Sequence, residues 1–243
     1  KQPVIVTREV KGVFEEIDRL AEGSPVLVAF DYEPASAPEC DPLAYALLTH
    51  CFRKNLRVIG VTIIPVGVGA GERLLSQTAG QFGKVQGRDY TFLGFKAEKF
   101  SSIIGMGISV QNTFQTDRYG QPTDSLPVLE GVKKLADFAY VVDIHDDNMI
   151  EDWVLYGHEQ FGIRIGAMCT AILVPGNYPY LNAGQITGIV GSLKGGAEYE
   201  KLLGLRAAAS AGMDTLAIIH VLLIVLMVLG NVAYLRSSKV RRV

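Results

Sequence analysis

One apolar run near the end of the chain constrains the fold more than any other feature. Residues 216–235 read LAIIHVLLIVLMVLGNVAYL and contain no Asp, Glu, Lys or Arg. Twenty residues of α-helix rise about 30 Å, which is the hydrocarbon thickness of a bilayer. The alternative is a buried core helix, but a helix that is apolar on every face suits lipid better than a protein core. The run therefore predicts a transmembrane helix in a cell membrane.

Charged residues on either side of this run predict its orientation. Four basic residues follow it, at Arg236, Lys239, Arg241 and Arg242. The nearest charged residues before it are Asp214, Arg206 and Lys201. Short basic flanks stay on the cytoplasmic side of a membrane. We therefore expect a cytoplasmic basic tail at 236–243, a short connector at 206–215 and an extracytoplasmic domain at 1–205.

A polar stripe runs along the predicted membrane helix. His220 and Asn231 are eleven residues apart, about three helical turns, so they lie on one stripe. Met227 lies near this stripe and Gly230 flanks it. Polar groups in hydrocarbon are costly unless they find partners. Two interpretations stay open: each polar residue lies near an interface, or the stripe packs against a helix of a second copy or of another membrane subunit.

The remaining 205 residues alternate between apolar strand-like runs and amphipathic segments. Hydrophobic residues make up 49% and charged residues 20% of the chain, which excludes a disordered protein. The net charge of −2 gives no basic field for nucleic acid. The predicted strands are 25–30, 57–64, 90–95, 138–144, 163–174 and 184–191, and helices are predicted at 10–21, 42–55, 71–82, 97–108, 126–135, 149–161 and 197–203. This order predicts an α/β fold with a doubly wound, mostly parallel sheet, which is Rossmann-like.

Acidic residues collect where two of these strands end. Asp31 and Glu33 follow the first strand. The fourth strand leads into Asp143, His145, Asp146 and Asp147. Parallel α/β sheets bind ligands at the carboxyl ends of their strands, so these side chains are candidate ligand-binding residues. With Asp117 from the central loop, they could hold a divalent cation, whereas the alternative is ordinary solvated loops and helix caps.

The stretch 175–185, PGNYPYLNAGQ, adds Tyr178 to the same edge. Tyr178 and Tyr180 lie among small residues, where they could stack on a ligand or anchor a partner protein. They could equally contact lipid headgroups, because interfacial tyrosines are common in membrane proteins. Partner contact is the interpretation that we favour.

Known chemical motifs are missing from the sequence. The glycine-rich segments 67–71 and 188–196 match neither G-x-G-x-x-G nor the Walker pattern, so tight turns and close packing explain them better than a nucleotide. There is no G-x-S-x-G nucleophile motif and no zinc-ligand spacing. Cys40 and Cys51 are too far apart along one helix to pair, and Cys169 lies in an apolar strand. We predict no catalytic residue and no cofactor.

Three stretches resemble a known group of proteins. They are VLVAFDYEPASAPE at 26–39, PYLNAGQITGIVGSLKGGAEYEKLLG at 179–204 and AGMDTLAIIHVLLIVLMVLGNVAYL at 211–235. They look like an uncharacterised group of bacterial membrane-anchored α/β proteins. The resemblance implies an anchored domain, with a second membrane helix before residue 1 as an option, and it assigns no activity and no site residue.

Taken together, these features predict a non-enzymatic subunit of a membrane protein complex. The bilayer and other membrane subunits, or further copies of the chain, are its expected partners. The alternative is an anchored ligand-binding or sensory domain with its site at the strand ends. An anchored metal-dependent hydrolase is the third hypothesis.

Overall fold

The computed structural model describes residues 4–96 and 99–240. Part of the predicted basic tail lies outside the described residues, namely Arg241, Arg242 and the side chains of Arg236 and Lys239. The same is true of Lys1.

Six parallel strands form one sheet in the order β3-β2-β1-β4-β5-β6. The strands are β1 (Pro25–Asp31), β2 (Arg57–Thr62), β3 (Tyr90–Phe95), β4 (Tyr140–His145), β5 (Ile165–Cys169) and β6 (Ile189–Gly191). Their continuous apolar runs suit a sheet that is covered on both faces. The predicted doubly wound parallel fold is therefore confirmed.

Helices cover both faces of this sheet. They are α1 (Arg8–Asp18), α2 (Ala37–Arg53), α3 (Val68–Gln81), α4 (Lys99–Ile108), α5 (Val110–Thr113), α6 (Met149–Asp152), α7 (Glu159–Phe161), α8 (Val174–Asn182), α9 (Ser192–Leu202) and α10 (Ala208–Val240). A π-helical segment, Trp153–His158, joins α6 to α7. One hydrophobic core lies beneath α1, α2, α3 and α9, and a second lies beneath α4, α5 and the segment 149–161.

Several helix boundaries differ from those predicted from the sequence. Helix α2 begins at Ala37 rather than at residue 42, so Pro42 lies inside it and Asp41 does not cap it. Asp41 instead accepts a hydrogen bond from the Tyr32 hydroxyl at 2.8 Å and pairs with Arg73. Pro42 has no backbone N–H, so the helix lacks the hydrogen bond that this position would donate to the Pro38 carbonyl oxygen.

Two other predicted segments also differ. The helix expected at 126–135 is replaced by two short 3-10 turns, Pro127–Leu129 and Leu135–Asp137, separated by Gly131 in a left-handed conformation. Helix α3 begins at Val68, so the glycine-rich segment 67–71 lies mostly within a helix.

Helix α10 continues from the domain into the predicted membrane span. It starts at Ala208, so most of the predicted connector at 206–215 is already helical. Glycines on both helices let its first turns pack closely on α9, because a Cβ on Gly196 would lie 2.8 Å from Ala209 and one on Gly212 would lie 2.8 Å from Leu193. Residues 208–234 are long and apolar enough to cross a membrane.

Candidate functional site

The strand order places a topological switch point between β1 and β4. The chain moves outward from β1 through β2 to β3, then returns to β4 and moves the other way. Asp31, the last residue of β1, pairs in register with His145, the last residue of β4. Ligands of doubly wound folds bind beyond this point, where the crossover connections diverge.

Asp31 is a buried carboxyl group at this switch point. It accepts hydrogen bonds from Trp153 Nε1 at 2.9 Å and from the Ile63 backbone N–H at 2.8 Å, and Thr62 Oγ1 lies 3.0 Å away. Burial, and then the neighbouring charge of Asp143, raise the pKa of Asp31 well above its ordinary value. Asp31 is thus biased toward its protonated, neutral form.

Asp143 and His145 form a buried ion pair beside Asp31. Both side chains are fully buried, and His145 Nδ1 lies 2.9 Å from Asp143 Oδ2. Burial alone would lower the pKa of His145, but the charge of Asp143 and contact with it outweigh burial and raise that pKa to about 10. Apart from this contact, neither oxygen of Asp143 has a hydrogen-bond partner within the described part of the chain.

Two residues that the sequence did not suggest complete the cluster. The Asn177 side-chain amide lies 3.0 Å from His145 Nε2 and 3.4 Å from Cys169 Sγ. Because a protonated His145 donates from Nε2, the amide oxygen of Asn177 must face that nitrogen when His145 is charged. Trp153 reaches Asp31 from the π-helical segment. π-Helices are rare in proteins, and those that occur are often found at functional sites. The only signal in the sequence was that Trp153 is the single tryptophan of the chain.

The rim above this cluster is closed by hydrogen bonds between loops. The backbone N–H of Glu33 donates to Asp146 Oδ2 at 2.8 Å, which ties the loop after β1 to the loop after β4. The backbone N–H of Ala171 donates to Glu39 at 3.0 Å, which ties the loop after β5 to α2. The predicted set therefore divides into a buried layer of Asp31, Asp143 and His145 and a surface layer of Glu33 and Asp146.

Tyr178 and Asp117 lie apart from this cluster. Tyr178 lines two surface cavities of about 610 and 280 Å³ along α1, whereas its neighbour Asn177 is the residue that contacts His145. Asp117 accepts hydrogen bonds from Thr91 Oγ1 at 2.6 Å and from Gln86 Nε2 at 2.8 Å beside β3. Over residues 4–96 and 99–240, no three His, Cys, Asp or Glu side chains are placed to hold a metal ion.

The glycines and cysteines have structural surroundings. A Cβ on Gly67 would lie 2.0 Å from the Phe30 carbonyl oxygen, and one on Gly188 would lie 2.4 Å from that of Glu9. Close packing therefore accounts for Gly67 and Gly188, whereas nothing lies within 4 Å of a Cβ built on Gly69. Cys40, Cys51 and Cys169 are free thiols and are buried.

Comparison of the sequence with protein-family profiles and with curated proteins gave no match.

Proposed function

We propose that this chain is a membrane-anchored, non-enzymatic subunit of a membrane protein complex. In this proposal the α/β domain lies at the extracytoplasmic surface, and α10 crosses the bilayer and assembles with other helices. The observation that carries it is the course of α10, which is built into the domain at its start and then leaves it with its apolar side chains uncovered.

The start of α10, at residues 207–210, is held by a buried carboxylate. Glu200 of α9 is fully buried and accepts hydrogen bonds from the backbone N–H groups of Ala207, Ala209 and Ser210 at 2.8–2.9 Å. A carboxylate here satisfies free backbone donors and suits the positive end of the helix dipole. The membrane segment is therefore a rigid extension of the domain and not a flexible tether.

Beyond its first turns, α10 needs an apolar environment. The large apolar side chains from Leu216 to Tyr234 are at least 40% exposed, and none of the apolar window is buried against the domain. Nineteen residues rise about 28 Å, close to the hydrocarbon thickness. Exposed apolar surface of this length marks contact with lipid or with partner helices.

The polar stripe supports assembly of α10 with another helix. His220 Nδ1 lies 2.7 Å from the Leu216 carbonyl oxygen of the preceding turn, and its ring remains exposed. Met227 is exposed on the same stripe, and nothing lies within 4 Å of a Cβ built on Gly230. A helix that approached this side could bury Gly230 and hydrogen-bond to His220 and Asn231.

The experiment is native gel electrophoresis after extraction in a mild detergent. We expect wild type in a species larger than one chain and His220→Leu/Asn231→Leu in a smaller one, with both in the membrane fraction. Leu222→Ala/Leu229→Ala changes the opposite face of the helix and is the matched control, expected to assemble like wild type. Recovery of wild type as a monomer would contradict the proposal.

The proposed sidedness has a separate test. It is supported by the basic residues after the membrane segment, which favour a cytoplasmic tail. We expect protease added to intact spheroplasts to digest the domain. Protection of the domain in spheroplasts, with digestion only after lysis, would reverse the orientation and leave the anchoring unchanged.

Ligand binding at the switch point is the second candidate function. It is favoured by Asp143, which is fully buried and whose oxygens, apart from the 2.9 Å contact with His145, have no hydrogen-bond partner among the described residues. A buried polar group without partners is unusual in a folded protein and points to a functional role. A small-molecule thermal-shift screen would test it on wild type and Asp143→Asn. Compounds that raise the melting temperature of wild type alone would support a ligand site, and an absence of such compounds would argue against it.

A further inference from the structure

We infer that the carboxyl edge of the sheet faces the bilayer and contacts the lipid surface at headgroup depth through Ile172. The inference rests on the proposed function in one respect, because it takes α10 as the membrane-spanning segment. It adds which surface of the domain meets lipid, and it places the switch point on the membrane side.

The first step is the direction of α9. This helix begins directly after β6, at the carboxyl edge, and runs back beside α2. The Tyr199 hydroxyl lies 2.9 Å from His50 Nδ1, and Arg53 donates to the Leu203 carbonyl oxygen at 2.8 Å. These contacts join the later turns of both helices, so both run from the carboxyl edge to the amino edge.

The second step is the direction of α10, which turns back along α9. Glu200 near the end of α9 caps the start of α10, and Gly196 then faces Ala209. Leu193, in the first turn of α9, faces Gly212. Helix α10 therefore runs antiparallel to α9 and parallel to the strands, and it passes the carboxyl edge at about Gly212.

The third step is the distance from this edge to the hydrocarbon. Leu216, where the uncovered apolar run begins, is four residues beyond Gly212, about 6 Å along the helix axis. The headgroup layer on each side of a bilayer is roughly 5–8 Å thick. The carboxyl edge consequently lies at headgroup depth, whereas the amino edge lies farther away by the length of β1, about 23 Å.

The surface chemistry of this edge fits the position. Ile172, in the loop after β5, is 82% exposed, the largest value among the large apolar side chains that the structure describes, and Val66 in the loop after β2 is 47% exposed. Apolar loop tips are favourable where they can enter the headgroup region. Glu33 and Asp147 are exposed at this edge, and so are Lys96 after β3 and Lys194 in the first turn of α9. The edge therefore carries both signs of charge, which suits zwitterionic lipid.

The experiment measures depth with a fluorophore on single introduced cysteines in the full chain. The vesicles are phosphatidylcholine with or without a headgroup nitroxide lipid. All three native cysteines are buried, so a thiol reagent labels only the introduced cysteine in the folded protein. The test site is Ile172→Cys. Glu22→Cys at the amino edge and Leu155→Cys on a lateral face are the matched controls. Ile224→Cys within α10 tests the membrane anchoring itself.

We expect the label at Ile172→Cys to be quenched at least about twofold more than either control, because only this site lies within the headgroup layer. Equal quenching at Ile172→Cys and Glu22→Cys, or stronger quenching at Leu155→Cys, would overturn the inference. Ile224→Cys with an acyl-chain nitroxide separates the two failures. If that label is not quenched, membrane anchoring itself is wrong; if it is quenched while Ile172→Cys is not, only the orientation is wrong.

Discussion

Asp143 and His145 form a fully buried pair of ionisable groups in the core. Removing two charges from water costs several kcal/mol per ion, and their attraction repays this only with good geometry and further hydrogen bonds. Asp143 lacks those further bonds among the described residues. The pair is therefore unfavourable as a purely stabilising contact, which points to a functional role at the switch point.

The pair predicts a pH dependence of stability. The pKa of His145 is raised from 6.5 to about 10 in the fold, so its contribution is fully present below pH 6.5 and is lost as pH rises toward 10. We expect the free energy of unfolding in detergent to fall between pH 6.5 and 8.5, by at most about 1.4 kcal/mol per pH unit from this group. His145→Gln should fall less steeply.

The groups around His145 set the controls for this measurement. Asp143 and Cys169 lie beside the ring of His145, Asp31 is its register partner on β1, and Cys40 Sγ lies 4.0 Å from its carbonyl oxygen. Burial raises the pKa of the Cys40 thiol, so the effect of Cys40 on stability begins only near pH 9. The raised pKa of Asp31 gives a slope of the same sign, which both variants share. Parallel curves for wild type and His145→Gln over this range would show that His145 is not charged in the folded protein.

At the scale of elements, the hydrogen bonds of Glu200 connect the fold to the membrane helix. Glu200→Gln would turn an amide N–H₂ toward backbone donors that now meet carboxylate oxygens. We expect a loss of about 1.5–3 kcal/mol, the range for hydrogen bonds to a charged group, and faster proteolysis at residues 203–208. Thermal unfolding and limited proteolysis measure both, with exposed Glu22→Gln as the control. Unchanged values for Glu200→Gln would mean that α10 is held mainly by its glycine contacts with α9.

Elements with a continuous pattern were predictable, and those set by distant contacts were not. All six strands were expected near their observed positions because buried parallel strands are apolar throughout. Asp31, Asp143 and His145 were predicted at one edge because parallel strands end together. Asn177 and Trp153 were missed because they reach the cluster from α8 and the π-helical segment, and no local spacing encodes that approach.

On the scale of the whole molecule, one unbroken helix determines how the domain sits on the membrane. Inserting four alanines between Asp214 and Thr215 would keep α10 helical, lift the carboxyl edge by about 6 Å and rotate the domain by about 40°. We expect the label at Ile172→Cys to lose most of its headgroup quenching, because the lift is comparable to the headgroup layer. Membrane fractionation should not change.

A flexible insertion at the same point is the matched comparison, because it has the same length without the stiffness. Gly-Gly-Ser-Gly breaks the helix and uncouples the domain from the span. We expect weak and similar quenching at Ile172→Cys and Glu22→Cys, since neither edge would then be held at the lipid. If the alanine insertion left the quenching at Ile172→Cys as strong as in the parent chain, lipid contacts of the domain, and not the stiffness of α10, would hold the carboxyl edge at the bilayer.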